Sequence, residues 1–151
     1  MLNVPSNQFF RRGLWVGLTL AAFAGHAAAD TQVVYVYDFE FSIFRPDRGP
    51  VTDAVINPGD TVFWVWLNDF HNVVSLIGSL EEFESPVFEA GDSFEHRFTQ
   101  PGVYTYYCQP HGIDNGDGTA QGMVGTVTVL PAPAVITLFM ALAALRRRRT
   151  R

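Results

Sequence analysis

Between residues 30 and 130 the chain consists of short apolar or alternating runs, separated by turn signals every eight to twelve residues. "TQVVYVYDF", from Thr31, opens with Val, Tyr and Phe, which suit a pleated surface. "RPDRGP" breaks the pattern, and "NPGD" at 57–60 predicts a tight turn. The next run, 61–67, alternates Val62, Trp64 and Trp66 with Thr61, Phe63, Val65 and Leu67. Both faces are largely apolar, so this strand is expected inside a sheet rather than at its edge. "HNVVSLI" predicts another strand, and "FEAGDSFEHRFTQPGVYTYYC" predicts two, joined by a turn at 100–102. "GMVGTVTVL" closes the series, and Ser79–Glu84 has room for one helical turn. There is no internal repeat, heptad or long amphipathic helix. About eight strands in a hundred residues point to an all-β fold, a two-sheet Greek-key β-sandwich.

The two ends follow different rules. Arg11 and Arg12 precede an apolar run from Leu14 to Ala24, and Ala27 and Ala29 supply the small residues of a cleavage site. Residues 1–29 therefore predict a signal peptide; an uncleaved anchor is the alternative, but eleven apolar residues fall short of the roughly 20 that span a bilayer. His26 would leave with the signal peptide. At 131–151 a proline pair leads into the mostly apolar Ala134–Leu145 and then four arginines, which the positive-inside bias would hold on the cytoplasmic side. This tail resembles the Pro-Glu-Pro C-terminal sorting signals (PEP-CTERM) of bacterial surface proteins, departing from them at Ala132; a plain membrane anchor is the alternative. Either way, residues 30–130 are expected to work outside the cytoplasm, in the periplasm or at the cell surface.

Charge narrows the partners. All fifteen acids but only three of the ten basic residues, Arg45, Arg48 and Arg97, fall in 30–130, leaving that segment at −12 with no lysine. Such a surface repels nucleic acid and anionic lipid and steers toward proteins with a basic face. The single cysteine, Cys108, excludes an internal disulfide. A lone thiol in an oxidising compartment needs burial or a ligand role.

The candidate chemistry sits in "YYCQPHGIDNGDGTAQGMVG". Cys108 and His111 form a C-x-x-H pair, which alone is weak evidence; without a second cysteine, neither a C-x-x-C zinc site nor haem attachment is available. His71 lies upstream at a strand end and Met123 downstream at a strand start. Two imidazoles, a thiolate and a weak thioether are the ligand set of a blue-copper electron-transfer site.

Here the sequence resembles the cupredoxins, on the plastocyanin and pseudoazurin side, through "NPGDTVFWVWLNDFHNVVS", "GDSFEHRFTQPGVYTYYCQPH" and "GMVGTVTV". The resemblance implies one copper ion, cycling between Cu+ and Cu2+, with His71, Cys108, His111 and Met123 as ligands. It implies that Asn72 ties the two ligand loops together, and it gives Tyr107 either a part in electron exit or a packing role. The chain departs from the family between His111 and Met123, where eleven residues stand in place of about four. "GIDNGDGTAQ" is expected as a flexible, polar insertion that covers or replaces an apolar docking patch, and it leaves Gln121, or no side chain, as alternatives to Met123 in the axial position. Asp114, Asn115 and Asp117 miss the calcium-loop spacing and read as a turn. His96 shares parity with Phe94 and Phe98 and is expected beside the core. The implied function is a single-electron carrier between extracytoplasmic protein partners rather than an enzyme, because the mature segment lacks the further histidines of a catalytic copper. A copper-handling module for storage, delivery or sensing, or a sorted surface domain, are the alternatives.

Overall fold

The computed structural model describes residues 28–132. The expected signal peptide and sorting tail lie outside these residues, apart from Ala28, Ala29, Pro131 and Ala132. Among the described residues no helix is long and apolar enough to cross a membrane.

Eight strands form two four-stranded sheets: β1 (Thr31–Tyr37), β2 (Glu40–Ser42), β3 (Ala54–Ile56), β4 (Thr61–Trp66), β5 (Val74–Ser75), β6 (Ser93–Arg97), β7 (Gly102–Asp114) and β8 (Ala120–Val129). One sheet runs β2-β1-β4-β6 and the other β3-β8-β7-β5, so the chain changes sheet at each connection from β2 to β7. The all-β sandwich expected from the pattern is the observed fold. β4 is interior, flanked by β1 and β6, as its two apolar faces require. Val62, Trp64 and Trp66 are fully buried, while Phe63 and Val65 are half-buried on the outer face.

The expected turn at 100–102 joins β6 to β7 and, because these lie in different sheets, crosses from one to the other. Two local expectations change. The run after His71 yields only the two-residue β5. Ser79–Glu84 stays irregular because Glu81 is bound elsewhere: its Oε1 accepts the Thr99 and Gln100 backbone N–H groups, each at 2.8 Å. The predicted 57–60 turn is present, Asp60 N–H donating to Asn57 O at 3.1 Å with Gly59 at φ 96°.

Between the sheets the core is aromatic. Trp64 packs against Phe83, Phe94, Phe98 and Tyr106 at centroid separations of 5.5 to 6.4 Å. Such rings bury much apolar area per residue, which compensates for the short strands.

Candidate metal centre

β1 and β4 are parallel, Val36 pairing with Trp66, so both end at the same pole of the sandwich and the segments that follow them meet there. After β1, Asp38 and Phe39 take φ angles of 43° and 66° and turn the chain into β2, with Tyr37 paired to Glu40. After β4, Leu67 N–H donates to Val36 O at 2.9 Å and Asn68 Nδ2 to Asp38 Oδ1 at 2.8 Å, tying the two segments together. The chain then reaches His71. Its carbonyl accepts the Phe88 N–H at 2.9 Å and the Trp66 indole N–H at 2.8 Å, which fixes the backbone that carries the imidazole.

The β7–β8 ladder brings in the rest. Tyr107 pairs with Val124 and Gly112 with Gly122, so Cys108, Gln109, Pro110 and His111 bulge out opposite Met123 alone. Tyr104, Tyr106 and Cys108 face inward on β7, as do Met123, Val127 and Val129 on β8. Thiol and thioether therefore lie on the same inner face of adjacent strands, in one core cluster. Closing the ladder just beyond the bulge requires glycine on both sides. A Cβ on Gly112 would stand 2.8 Å from Gln121 O, and one on Gly122 (φ 86°) would strike the His111 carbonyl.

Cys108 Sγ lies 3.7 Å from His71 Nδ1 and 3.4 Å from His111 Nδ1, and the two Nδ1 atoms are 3.0 Å apart. A point equidistant from the three lies about 2 Å from each, the reach of a first-row metal–donor bond. His71, Cys108 and Met123 are buried at 3, 0 and 2% exposure, while His111 is partly open to solvent. Burial, reinforced by His111 and opposed by the Asp38 charge, pushes the His71 pKa below its ordinary value. Burial pushes the Cys108 thiol up, against the backbone N–H groups of Asn72 and His111 that favour the thiolate. An imidazole biased toward its neutral form beside a thiol biased toward its protonated form suits a metal that displaces a proton on binding. This donor set, soft sulfur plus imidazole, fits copper.

Asn72 lies between the ligand segments. Its Oδ1 accepts the Gln109 N–H at 2.8 Å and its Nδ2 donates to Gln109 Oε1 at 2.9 Å, so it bridges the residue after one imidazole to the residue after the thiol. Tyr107 is half-buried on the outer face of its sheet, opposite Val74 and Val124. His96 stands apart, its Nε2 3.0 Å from Glu81 Oε2 and its ring stacked on Phe83 at 4.9 Å. Among the described residues no other group of three or more His, Cys, Asp or Glu converges as this one does.

The expectation for residues 112–121 needs correction. The segment is not a flexible loop: it extends the β7–β8 hairpin, with Ile113 opposite Gln121 and Asp114 opposite Ala120. Asp114 accepts the Gly116 and Ile77 N–H groups, and Asp117 accepts the Thr119 N–H. These acids are turn residues, as their spacing implied. Gln121 is exposed and donates to Asn115 Oδ1 at 3.2 Å, which turns it toward the hairpin tip rather than the axial position.

Nor is the apolar patch replaced. Phe39 and Phe70, 60 and 66% exposed, flank His111 with centroids 4.6 and 6.4 Å away. Sequence reasoning passed over both. A signal was available: each is an aromatic immediately after an aspartate, in a turn where strand parity does not account for it.

A sequence model described as copper binding proteins, plastocyanin/azurin family, matches residues 51–130. Among solved structures, the reduced form of a tryptophan-to-tyrosine mutant of amicyanin and the Cu(I) form of a methionine-to-alanine mutant of amicyanin superpose with TM-scores of 0.50. They share 23% and 24% sequence identity with this chain, each alignment covering 68% of it and 85% of the other chain, a likeness of fold.

Proposed function

The chain belongs to the plastocyanin/azurin family of copper-binding proteins, and from that premise we propose that it carries single electrons between extracytoplasmic proteins. In this reading His71, Cys108 and His111 would hold the ion, with Met123 as the weaker fourth ligand. Copper bound there supplies one-electron chemistry by alternating between Cu(I) and Cu(II). The chain's own contribution is rigidity: the Phe88 N–H and Trp66 indole N–H bonds to the His71 carbonyl, the Asn72–Gln109 bridge and the glycine-closed ladder hold the donors where both oxidation states can use them. His111, the partly exposed ligand, is the natural exit for the electron, and Tyr107 is a second route through the strand beside Cys108.

The proposed partner is a protein with a basic rim around an apolar centre. Asp38, Asp69 and Glu40 lie at the copper pole beside Phe39 and Phe70, whereas Arg97 bonds Gly59 O at the opposite pole. Such charge separation orients encounter. Export with cleavage after Ala29, a domain spanning 30–130 and a sorted or anchoring tail at 131–151 complete the proposal.

The observation that carries it is the triangle of donor atoms, 3.0, 3.4 and 3.7 Å on its sides. Titrating the protein with Cu(II) should develop an intense visible thiolate-to-copper band. Cys108→Ser should abolish the band with the fold intact, and Met123→Gln should shift the band and lower the potential. A colourless copper complex of the unmutated protein would sink the proposal. A copper-delivery protein with the same ligands would differ in surrendering its ion to an acceptor; three ligands with at most 3% exposure favour retention.

A further inference from the structure

One aromatic ring touches both imidazoles from outside. The Phe39 centroid lies 4.6 Å from that of His111 at an interplanar angle of 90°, and 5.9 Å from that of His71 at 89°. The two imidazoles are themselves 4.7 Å apart. These edge-on contacts are the favoured geometry for aromatic pairs, and they are the aromatic contacts Phe39 makes. The ring is 60% exposed, so core packing does not explain its place.

Its backbone costs something to maintain. Phe39 sits at φ 66° after Asp38 at φ 43°, both central positions of a two-residue hairpin turn. That turn favours Asn or Asp followed by Gly, because both positions need the left-handed region. A bulky residue there is a genuine outlier, and such strain gathers at functional sites. Phe39 also precedes residues 51–130, so the family match does not account for it.

We propose that Phe39 is a positioning residue for the histidine pair: its ring covers part of their solvent side, limits the water that reaches them and restrains the His111 ring. The cap rests on the reading of His71 and His111 as ligands. It stands on the solvent side of the centre, where solvent-exposed Phe70 is the other aromatic neighbour of the His111 ring, on a turn whose two positive φ angles present it. Water admitted at that side would stabilise the more highly charged oxidised form, so losing the cap should lower the reduction potential.

The deciding substitution is Phe39→Gly, because glycine relaxes the turn while removing the ring. Thermal melting of the metal-free protein should stay level or rise. NMR signals of the His111 ring, read on the same metal-free protein, should show new motion, and a chelator should remove Cu(II) roughly tenfold faster, the scale of losses outside the ligand shell. Phe39→Tyr should restore both properties. Unchanged ring signals and extraction rate in Phe39→Gly would overturn the proposal, as would a fall in melting temperature with the site unaltered. If the unmutated protein binds copper without colour, the carrier reading fails, and the metal-free ring signals still decide this one.

Discussion

Asn72 offers both ends of its amide to Gln109 and is itself buried at 2% exposure, while Gln109 is exposed. Asn72→Ala removes both bonds to Gln109, which should cost about 0.5–1.5 kcal/mol of unfolding free energy for each. The same change frees the Cys108 loop from the His71 loop and should weaken copper binding roughly 10–100-fold. Urea unfolding of the metal-free protein and chelator competition measure the two effects separately. A stability loss with affinity unchanged would reduce Asn72 to a structural residue. His71, Cys108, His111 and Met123 were legible as a candidate donor set because two imidazoles, a thiol and a thioether are a rare combination in one small domain, and Asn72 was legible only through the family resemblance. Phe39 and Phe70 were not. A phenylalanine beside an alternating run reads as core, and only the φ angles of 66° and 71° reveal that the chain turns each of them outward.

At the scale of elements, the β7–β8 hairpin carries the centre, and two of its positive-φ glycines, Gly118 in the tip and Gly122 beside the bulge, make unequal demands. Gly118 (φ 85°) has nothing within 4 Å of where a Cβ would stand, whereas at Gly122 (φ 86°) that position lies 2.9 Å from Gly112 Cα as well as against the His111 carbonyl. Gly118→Ala should therefore lose only the left-handed penalty, about 1–2 kcal/mol. Gly122→Ala should lose that and more, roughly 1–3 kcal/mol beyond it for the forced shift in a packed ladder. Gly122→Ala should also alter the copper spectrum, which Gly118→Ala should leave alone. Denaturation midpoints and absorption spectra of the pair test this, and equal costs would show that the ladder yields. The strands themselves were readable from periodicity, β4 above all. The path of the chain between them was not, because a turn signal at 100–102 looks the same whether it joins neighbours in one sheet or crosses to the other. Residues 112–121 misled for a related reason: glycines and acids suggest a loose loop, but pairing of Gly112 with Gly122 depends on close backbone approach, which composition does not show.

Across the whole molecule, stability should be bounded by ionisation on both sides. Asp60 is held below the usual carboxylate range by the Asp30 and Asn57 N–H groups, which fasten the start of β1 to the turn before β4. Glu81 is likewise depressed: burial opposes its charge, but the Thr99 and Gln100 N–H groups, His96 and the Thr99 hydroxyl outweigh it. A depressed carboxylate stabilises the fold above its unfolded pKa of about 4 and loses that contribution as pH falls through the folded value. Tyr104 and Tyr106 go the other way, burial raising both above the ordinary phenol value. Their unfolded counterparts ionise near pH 10 while the folded ones resist, so stability should fall as pH rises past that point. Urea midpoints of the metal-free protein should form a plateau between these limits. Asp60→Asn should lower the plateau and flatten its acid limb, and Tyr106→Phe should flatten the alkaline one. Asp60 grips the parallel pair β1 and β4 at the pole opposite the histidines, and the other ends of those strands lead into Phe39 and His71. Loss of its charge should therefore unfold the domain as a unit, with Cys108 becoming reactive to a thiol reagent at the same pH at which the sheet melts. If Cys108 is exposed well before the sheet melts, the copper pole opens on its own, and the scaffold does not hold the donors in the way electron transfer at a fixed centre requires.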